Sequence, residues 1–242
     1  GLLKDPITFG CIGFILYAVV QIIFKKQKYF ASVMWILFCG YLLYFIKVYI
    51  LLVLALSLLV WYFAEFNKLI KDKTLRFVFT GLTFLGSAIV GYFLLNYLTS
   101  LDAAREYQLD NLLANAEAQR QGYAIINQTL TNDSHFTIDA SNPVSLLFGS
   151  IIATFYRPFL WEINTPIALL SALESGIFLA TTLYFIFKKG LKQFFTISFS
   201  DGRILMCFVF SFVFAFAVGS STANFGALSR YKIPCTPFYL IL

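Results

Sequence analysis

The stretch from Asn142 to Glu174, NPVSLLFGSIIATFYRPFLWEINTPIALLSALE, decides how we expect the chain to fold. It joins a polar segment to a strongly apolar one. Within it, an arginine and two glutamates lie close to apolar runs: Arg157, Glu162 and Glu174. An ionised side chain at membrane depth costs roughly 2.5–3.5 kcal/mol on insertion scales. The stretch therefore predicts a passage into a membrane in which these charges serve a function.

The composition of the chain indicates an integral membrane protein. Hydrophobic residues make up 60% of its 242 residues and charged residues 12%, whereas an average soluble domain is about 45–50% apolar and about 25% charged. We predict an all-α, polytopic transmembrane helix bundle. The net charge of +6 does not indicate nucleic-acid binding, because the basic residues of a membrane protein mainly reflect its orientation in the bilayer. The lipid bilayer is the first expected partner.

Apolar runs divide the chain into about six or seven spans, since one crossing needs about 20 apolar residues. Spans one to four are predicted within 1–98, and spans five to seven within 166–242. The run 29–66 is long enough for two crossings, and Lys47, flanked by tyrosines, is predicted to be the interface turn between them. Because the chain stops inside an apolar run, we expect the last span to be truncated and the sequence to be part of a longer polypeptide. The predicted spans are 8–24, 30–45, 48–66, 77–98, 166–187, 204–218 and one starting after 233.

The middle of the chain is predicted to lie outside the bilayer. Residues 99–143 form a polar loop, in which 100–122 has apolar residues at helical spacing and predicts an amphipathic helix. Residues 144–165 begin with about 12 apolar residues, which suits a re-entrant or interfacial segment better than a crossing.

The distribution of basic residues predicts the orientation. Loops 25–28, 67–76 and 188–203 hold eleven of the 18 lysines and arginines, so the positive-inside rule places these loops in the cytoplasm. Residues 99–165, Lys47 and 219–233 then share the extracytoplasmic face. We expect chemistry, if any, at this shared face.

No soluble-enzyme motif is present, and the one histidine, His135, lies in the polar loop. The four cysteines have no metal-ligand spacing and are predicted to be core residues, so no metal and no cofactor are expected. The remaining candidates are charged residues in two clusters, 156–162 and 224–234, together with Lys47 and Glu174. Both clusters also fit a plain structural role, as interface anchors or an ordinary loop.

Cations on an outer membrane face suit a lipid-linked pyrophosphate. Arginine offers two parallel hydrogen bonds to phosphate oxygens and lysine a point charge. Fixed cations would stabilise a pyrophosphate leaving group without a metal, and a carboxylate would take the proton of an acceptor hydroxyl.

Three segments carry a family resemblance: FYRPFLWE, LLSALES and STANFGALSRYKIPCTPF, all within about 142–242. They resemble polytopic bacterial surface-polysaccharide proteins of the O-antigen polymerase and ligase group. The resemblance implies a many-helix protein of the bacterial inner membrane that uses a polyprenyl-pyrophosphate-linked glycan, with envelope polysaccharide-assembly proteins as possible partners. It makes Arg157, Glu162, Arg230 and Lys232 site residues. Ligase members are associated with a functional histidine in an outer loop near the membrane, whereas His135 lies away from both clusters.

We therefore expect a glycan polymerase-like glycosyltransferase. Its predicted catalytic residues are Glu162 and Glu174, and its predicted substrate-binding residues are Arg157, Arg230, Lys232, Lys47 and Asn224. Two alternatives stay open. One is a transporter or flippase for a lipid-linked or anionic substrate, and the other is a non-catalytic scaffold that docks through 100–122.

Overall fold

The computed structural model describes residues 4–68, 142–163 and 166–242, with scattered positions between Ile70 and Ile138. This described part is α-helical and contains no β-strand. The predicted fourth span (77–98) and amphipathic helix (100–122) lie outside the continuously described ranges. The helices are α1 Lys4–Val20, α2 Tyr29–Asn67, α3 Pro143–Tyr156, α4 Pro166–Lys189, α5 Leu191–Ser200, α6 Gly202–Ser221, α7 Phe225–Tyr231 and α8 Thr236–Ile241.

Four helices within the described ranges are long and apolar enough to cross a membrane. They are Lys4–Lys25, Tyr29–Asn67, Ala168–Lys189 and Gly202–Ser221. Many large apolar side chains on these helices are exposed, as expected for surfaces that face lipid. The prediction of an all-α protein with apolar, membrane-length helices is confirmed at this level.

The 39-residue helix α2 reverses its direction at Lys47, which has non-helical backbone angles (φ −154°, ψ 79°). Three contacts along α1 and the π-helical turn that continues it, Gln21–Lys25, fix the course of the two halves. Lys47 pairs with Asp5 at 2.7 Å, and the ring centroids lie 4.6 Å apart in Phe14–Trp35 and 5.5 Å apart in Phe24–Trp61. On both sides of Lys47, residues farther from it in the sequence contact positions farther from Asp5. The two halves are therefore antiparallel, and the reversal falls at the residue where the sequence predicts a turn.

Helix α6 lies at the centre of the fold. Its start packs so closely on the end of α2 that a Cβ on Gly202 would lie 3.0 Å from Trp61. Farther along, Phe214 of α6 packs against Tyr49 with ring centroids 5.8 Å apart. Helix α6 is thus antiparallel to the second half of α2, and its buried face, which includes Phe210, belongs to a core shared with α1 and α2.

Helix α3 is a short element held against the end of α6. Its N-cap is Asn142, whose side-chain oxygen accepts from the Val144 N–H at 2.8 Å. Its 14 residues extend about 21 Å, less than the roughly 30 Å of a hydrocarbon core. Residues after Tyr156 fold back beside α3, and a 3-10 turn, Leu160–Glu162, leads on to α4. Residues 143–163 thus form a helix with a returning segment.

These contacts separate two ends of the bundle. The first end contains Asp5, Lys47, the start of α3 and helix α7. The second end contains the end of α2 and the start of α6, where Lys68 lies 3.9 Å from Asp201. The two candidate clusters predicted from the sequence both lie toward the first end.

Candidate functional site

Arg157 and Glu162 form a bidentate ion pair immediately after α3. The Arg157 Nε donates to Glu162 Oε2 at 3.1 Å, and its Nη2 donates to Oε1. The Phe159 N–H donates to the same Oε2 at 2.9 Å. Charge-assisted bidentate pairs are stronger and more directional than single hydrogen bonds. The chain between the two residues is therefore closed into a loop that fixes both side chains, each of which is 19% exposed.

Two aromatic rings lie beside the Arg157 guanidinium. Its central carbon lies 4.8 Å from the centroid of Phe136 and 5.5 Å from that of Phe225. The two rings stack on each other at 5.0 Å, and the Phe136 N–H donates to the Ala223 carbonyl at 3.0 Å. Contact between a guanidinium and aromatic faces is favourable. The rings therefore give the guanidinium a favourable contact that does not involve Glu162.

The ion pair lines an open cavity of about 370 Å³ beside α3. Arg157, Glu162 and Ser145 supply polar groups to its wall. Phe159 and Trp161 line another part of it, stacked with ring centroids 4.7 Å apart, and Trp161 is 79% exposed. The wall thus combines an anionic group, a cationic group and an aromatic surface, a combination that also occurs in small-molecule sites.

A second group of residues links Lys232 to the Arg157–Glu162 pair. The Lys232 ammonium is 1% exposed and donates to the Ser175 hydroxyl at 3.1 Å, and that hydroxyl donates to the Arg157 carbonyl at 3.0 Å. Glu174 lies 3.6 Å from the ammonium and is 45% exposed. Burial lowers the pKa of Lys232, and the nearby Glu174 carboxylate opposes that shift.

A third group gathers at Asp5. Its carboxylate accepts from Lys47 at 2.7 Å and from Arg230 at 3.5 Å. Lys47 also lies 5.3 Å from the ring centroid of Tyr231. The Arg230 side chain is 56% exposed, so it remains accessible from the surface. This cluster joins the start of α1, the reversal of α2 and the end of α7.

Asn224 caps α7. Its side-chain oxygen accepts from the Gly226 N–H at 2.8 Å and from the Ala227 N–H at 3.2 Å. Asparagine is a preferred N-cap because it satisfies backbone donors that lack a partner within the helix. Asn224 therefore has a structural role as the N-cap of α7.

The structure thus divides six of the seven predicted site residues among three groups, and the seventh, Asn224, caps α7. Arg157 and Glu162 share the cavity, Glu174 and Lys232 pair beside it, and Lys47 and Arg230 meet at Asp5. Among the described residues, no three His, Cys, Asp or Glu side chains are grouped to hold a metal ion.

Sequence reasoning missed two residues that organise these groups, Asp5 and Ser175. Asp5 is the sole acidic residue before Glu65, so a lysine within the apolar run 29–66 has it as the natural counter-ion. That signal was present in the sequence. Ser175 carried no such signal, because a serine in an apolar helix is common and only the fold shows what it contacts.

Comparison of the chain with protein-family models, with curated proteins and with solved structures gives no match. A proposal for its function therefore rests on its own residues and their geometry.

Proposed function

We propose that this chain is a glycan polymerase-like membrane protein that transfers a lipid-linked oligosaccharide on the extracytoplasmic face of the bacterial inner membrane. One observation carries the proposal. A bidentate Arg157–Glu162 pair and an exposed aromatic surface line the same open cavity, beside a 14-residue helix that is shorter than a bilayer crossing needs. Six or seven spans, with the first end of the bundle outside, belong to the same proposal.

Each wall of the cavity has a role in such a transfer. Arg157 binds phosphate oxygens of the donor through two parallel hydrogen bonds. Trp161, stacked on Phe159, offers its exposed face to a sugar ring. Glu162 takes a proton from the acceptor hydroxyl.

The transfer itself balances without a further reactant. The acceptor oxygen attacks the anomeric carbon of the donor sugar, and the proton of its hydroxyl passes to Glu162. The bond between the anomeric carbon and the pyrophosphate oxygen breaks, and the lipid pyrophosphate leaves with the electron pair. Arg157 stabilises the negative charge that develops on this leaving group.

The other candidate residues act around this centre. Lys232 holds Ser175, which in turn holds the Arg157 carbonyl, so it is a positioning residue for the arginine. Glu174 balances the charge of Lys232. Arg230 is exposed at the first end of the bundle. Together with Lys47 it provides a further contact for an anionic ligand.

A second candidate function is a transporter or flippase. The hydroxyls of Tyr156, Thr182 and Tyr239 form a polar cluster between α3, α4 and α8, with the two tyrosine oxygens 3.0 Å apart. Polar groups inside membrane helices often mark a substrate path. The transporter hypothesis predicts that the chain moves a lipid-linked substrate across the vesicle membrane without changing the length of its glycan.

Reconstituted protein tests the proposal. The full chain in proteoliposomes is given a polyprenyl-pyrophosphate oligosaccharide, and glycan length is measured on gels. We expect Arg157→Gln and Glu162→Gln to abolish chain extension. Arg203→Gln is the matched control, because Arg203 also pairs with a carboxylate, Asp201, but at the second end.

Two results would overturn the polymerase hypothesis. One is unchanged glycan length and yield in both variants, with each shown to be folded. The other is no extension by the wild-type protein together with transfer of the donor between leaflets, which would favour the transporter.

A further inference from the structure

Glu162 occupies an edge of Arg157 that suits a phosphate group. Of the donors on a guanidinium, Nε and one Nη lie along the same edge and together match two oxygens of a carboxylate or a phosphate. In this structure that edge, formed by Nε and Nη2, is taken by the two oxygens of Glu162. A phosphate that binds Arg157 in this bidentate manner must displace the carboxylate.

Arg157 is held in place by contacts that such a displacement leaves intact. The guanidinium carbon lies 4.8 Å from the ring centroid of Phe136 and 5.5 Å from that of Phe225, and these contacts do not involve Glu162. Ser175 anchors the Arg157 carbonyl at 3.0 Å. The arginine therefore has a fixed position without Glu162, and an incoming anion meets a preorganised donor pair.

Glu162 also has somewhere to remain after displacement. Its Oε2 accepts from the Phe159 N–H at 2.9 Å, a bond that does not depend on Arg157. Both charged side chains are partly exposed and line the open cavity, so an anion reaches them without opening the helix bundle.

We propose that the pyrophosphate of the donor displaces Glu162 from Arg157, and that the freed carboxylate then accepts the proton of the acceptor hydroxyl. This rests on the proposed function. Before the donor binds, the two oxygens of Glu162 accept hydrogen bonds from Arg157 and from the Phe159 N–H. Donor binding releases one partner, so the base becomes active only when the sugar to be attacked is in place. The order of events is donor first and acceptor second.

The exchange makes an unusual prediction about binding. Glu162 competes with the ligand, so removing its charge strengthens phosphate binding while it abolishes transfer. A simple site in which Glu162 only supports Arg157 predicts the opposite change in affinity. The sign of one affinity difference therefore decides between the two arrangements.

The full chain in nanodiscs is titrated with a polyprenyl pyrophosphate that lacks sugar, and binding is followed by tryptophan fluorescence or native mass spectrometry. We expect Glu162→Gln to bind about tenfold more tightly than wild type, and Arg157→Gln at least about tenfold more weakly, since charge-assisted hydrogen bonds are involved. Glu162→Asp, whose carboxylate lies one methylene farther from Arg157, is expected to bind more tightly as well. It covers the case in which the glutamine variant does not fold.

Asp201→Asn is the matched control. Asp201 also accepts from the Nε and Nη2 of an arginine, Arg203, at 3.2 and 2.7 Å, but it lies at the second end of the bundle. We expect this variant to leave the affinity unchanged. Inorganic pyrophosphate, titrated in parallel, shows how much of the change belongs to the anion and how much to the lipid.

The outcomes separate the two proposals. Unchanged or weaker binding in the Glu162 variants, with weaker binding in Arg157→Gln, overturns the exchange and leaves the phosphate site standing. Unchanged binding in the Glu162 and Arg157 variants alike removes Arg157 as the phosphate site and the proposed function with it.

Discussion

The Lys232 ammonium and the Arg157 carbonyl are joined through a single hydroxyl, that of Ser175. Lys232 donates to Ser175 at 3.1 Å, and Ser175 donates to Arg157 at 3.0 Å. This relay connects the turn between α7 and α8, helix α4 and the residue that follows α3. Each of its three members lies on a different segment, so the position of Arg157 depends on how these segments pack.

Ser175→Ala is expected to destabilise the protein more than Lys232→Met does. The alanine leaves a nearly buried ammonium with Glu174, 3.6 Å away, as its remaining polar partner, which costs about 1–3 kcal/mol. Methionine removes the buried charge and keeps most of the volume, and Glu174, 45% exposed, stays hydrated. Thermal unfolding in detergent measures both variants. A larger loss in Lys232→Met would show that the ion pair, and not the serine relay, stabilises this region.

The buried Lys232 also predicts a dependence of stability on pH. Burial lowers its pKa below the ordinary value of 10.5, so between the two values the unfolded chain binds more protons than the folded protein. The free energy of unfolding should therefore rise with pH across that window, as the cost of burying the charge is relieved. Lys232→Met should lack this rise. Thermal unfolding of both proteins, from neutral pH to pH 10.5, tests the difference, and parallel curves would contradict it.

Much of this fold follows from hydropathy, whereas the contacts at the site do not. Apolar runs predict α4 and α6 to within a few residues, and Lys47 marks the reversal of α2 because an ionised side chain in an apolar run requires an interface or a partner. Hydropathy does not predict which charged residues come together, because the pairing of Lys47 with Asp5 joins residues 42 positions apart. Only helix packing decides such pairs, and periodicity within one segment carries no information about them.

Asp201 is expected to stabilise the start of α6 in two separable ways. Its side chain accepts from the Arg203 N–H at 2.8 Å, which caps the helix, and it pairs with the Arg203 guanidinium. Asp201→Asn keeps the cap and loses the charge, whereas Asp201→Ala loses both and should cost about 1 kcal/mol more. Hydrogen bonds from the Arg203 side chain lower the pKa of Asp201 to about 2.

The charge of Asp201 therefore contributes stability that is present above its ordinary pKa of 3.8 and is lost as pH falls toward about 2. The difference between wild type and Asp201→Asn should shrink over that range in thermal unfolding. A difference that does not change with pH would assign the effect to the shape of the cap and not to the charge.

The proposed orientation predicts which single cysteines react from outside the cell. The four native cysteines are buried, which keeps background labelling low. Arg230, 56% exposed at the first end, and Arg203, 69% exposed at the second, are matched positions. In intact cells a membrane-impermeant maleimide should label Arg230→Cys, and it should label Arg203→Cys only after permeabilisation. The reverse pattern would invert the proposed orientation and move the Arg157 cavity to the cytoplasmic side.

Gly219→Ala is expected to displace α3 from α6. A Cβ at Gly219 would lie 2.2 Å from the Ser150 carbonyl oxygen and 2.7 Å from its Cα, both backbone atoms, so the helices must move apart. Overpacking of this kind typically costs about 1–3 kcal/mol. Gly13→Ala is the control, because a Cβ there would meet no atom within 4 Å. Since alanine favours a helix over glycine by roughly 0.5–1 kcal/mol, the control should be neutral or stabilising.

The same substitution tests whether the packing of α3 positions the site. Thr154, near the end of α3, donates to the Ala215 carbonyl at 2.8 Å, and Arg157 follows one turn later. A shift of α3 should therefore weaken the proposed pyrophosphate binding at Arg157 as well as lower the unfolding temperature, whereas Gly13→Ala should lower neither. If Gly219→Ala lost stability but kept wild-type affinity, the position of Arg157 would depend on Ser175 and the aromatic rings and not on the contact between α3 and α6.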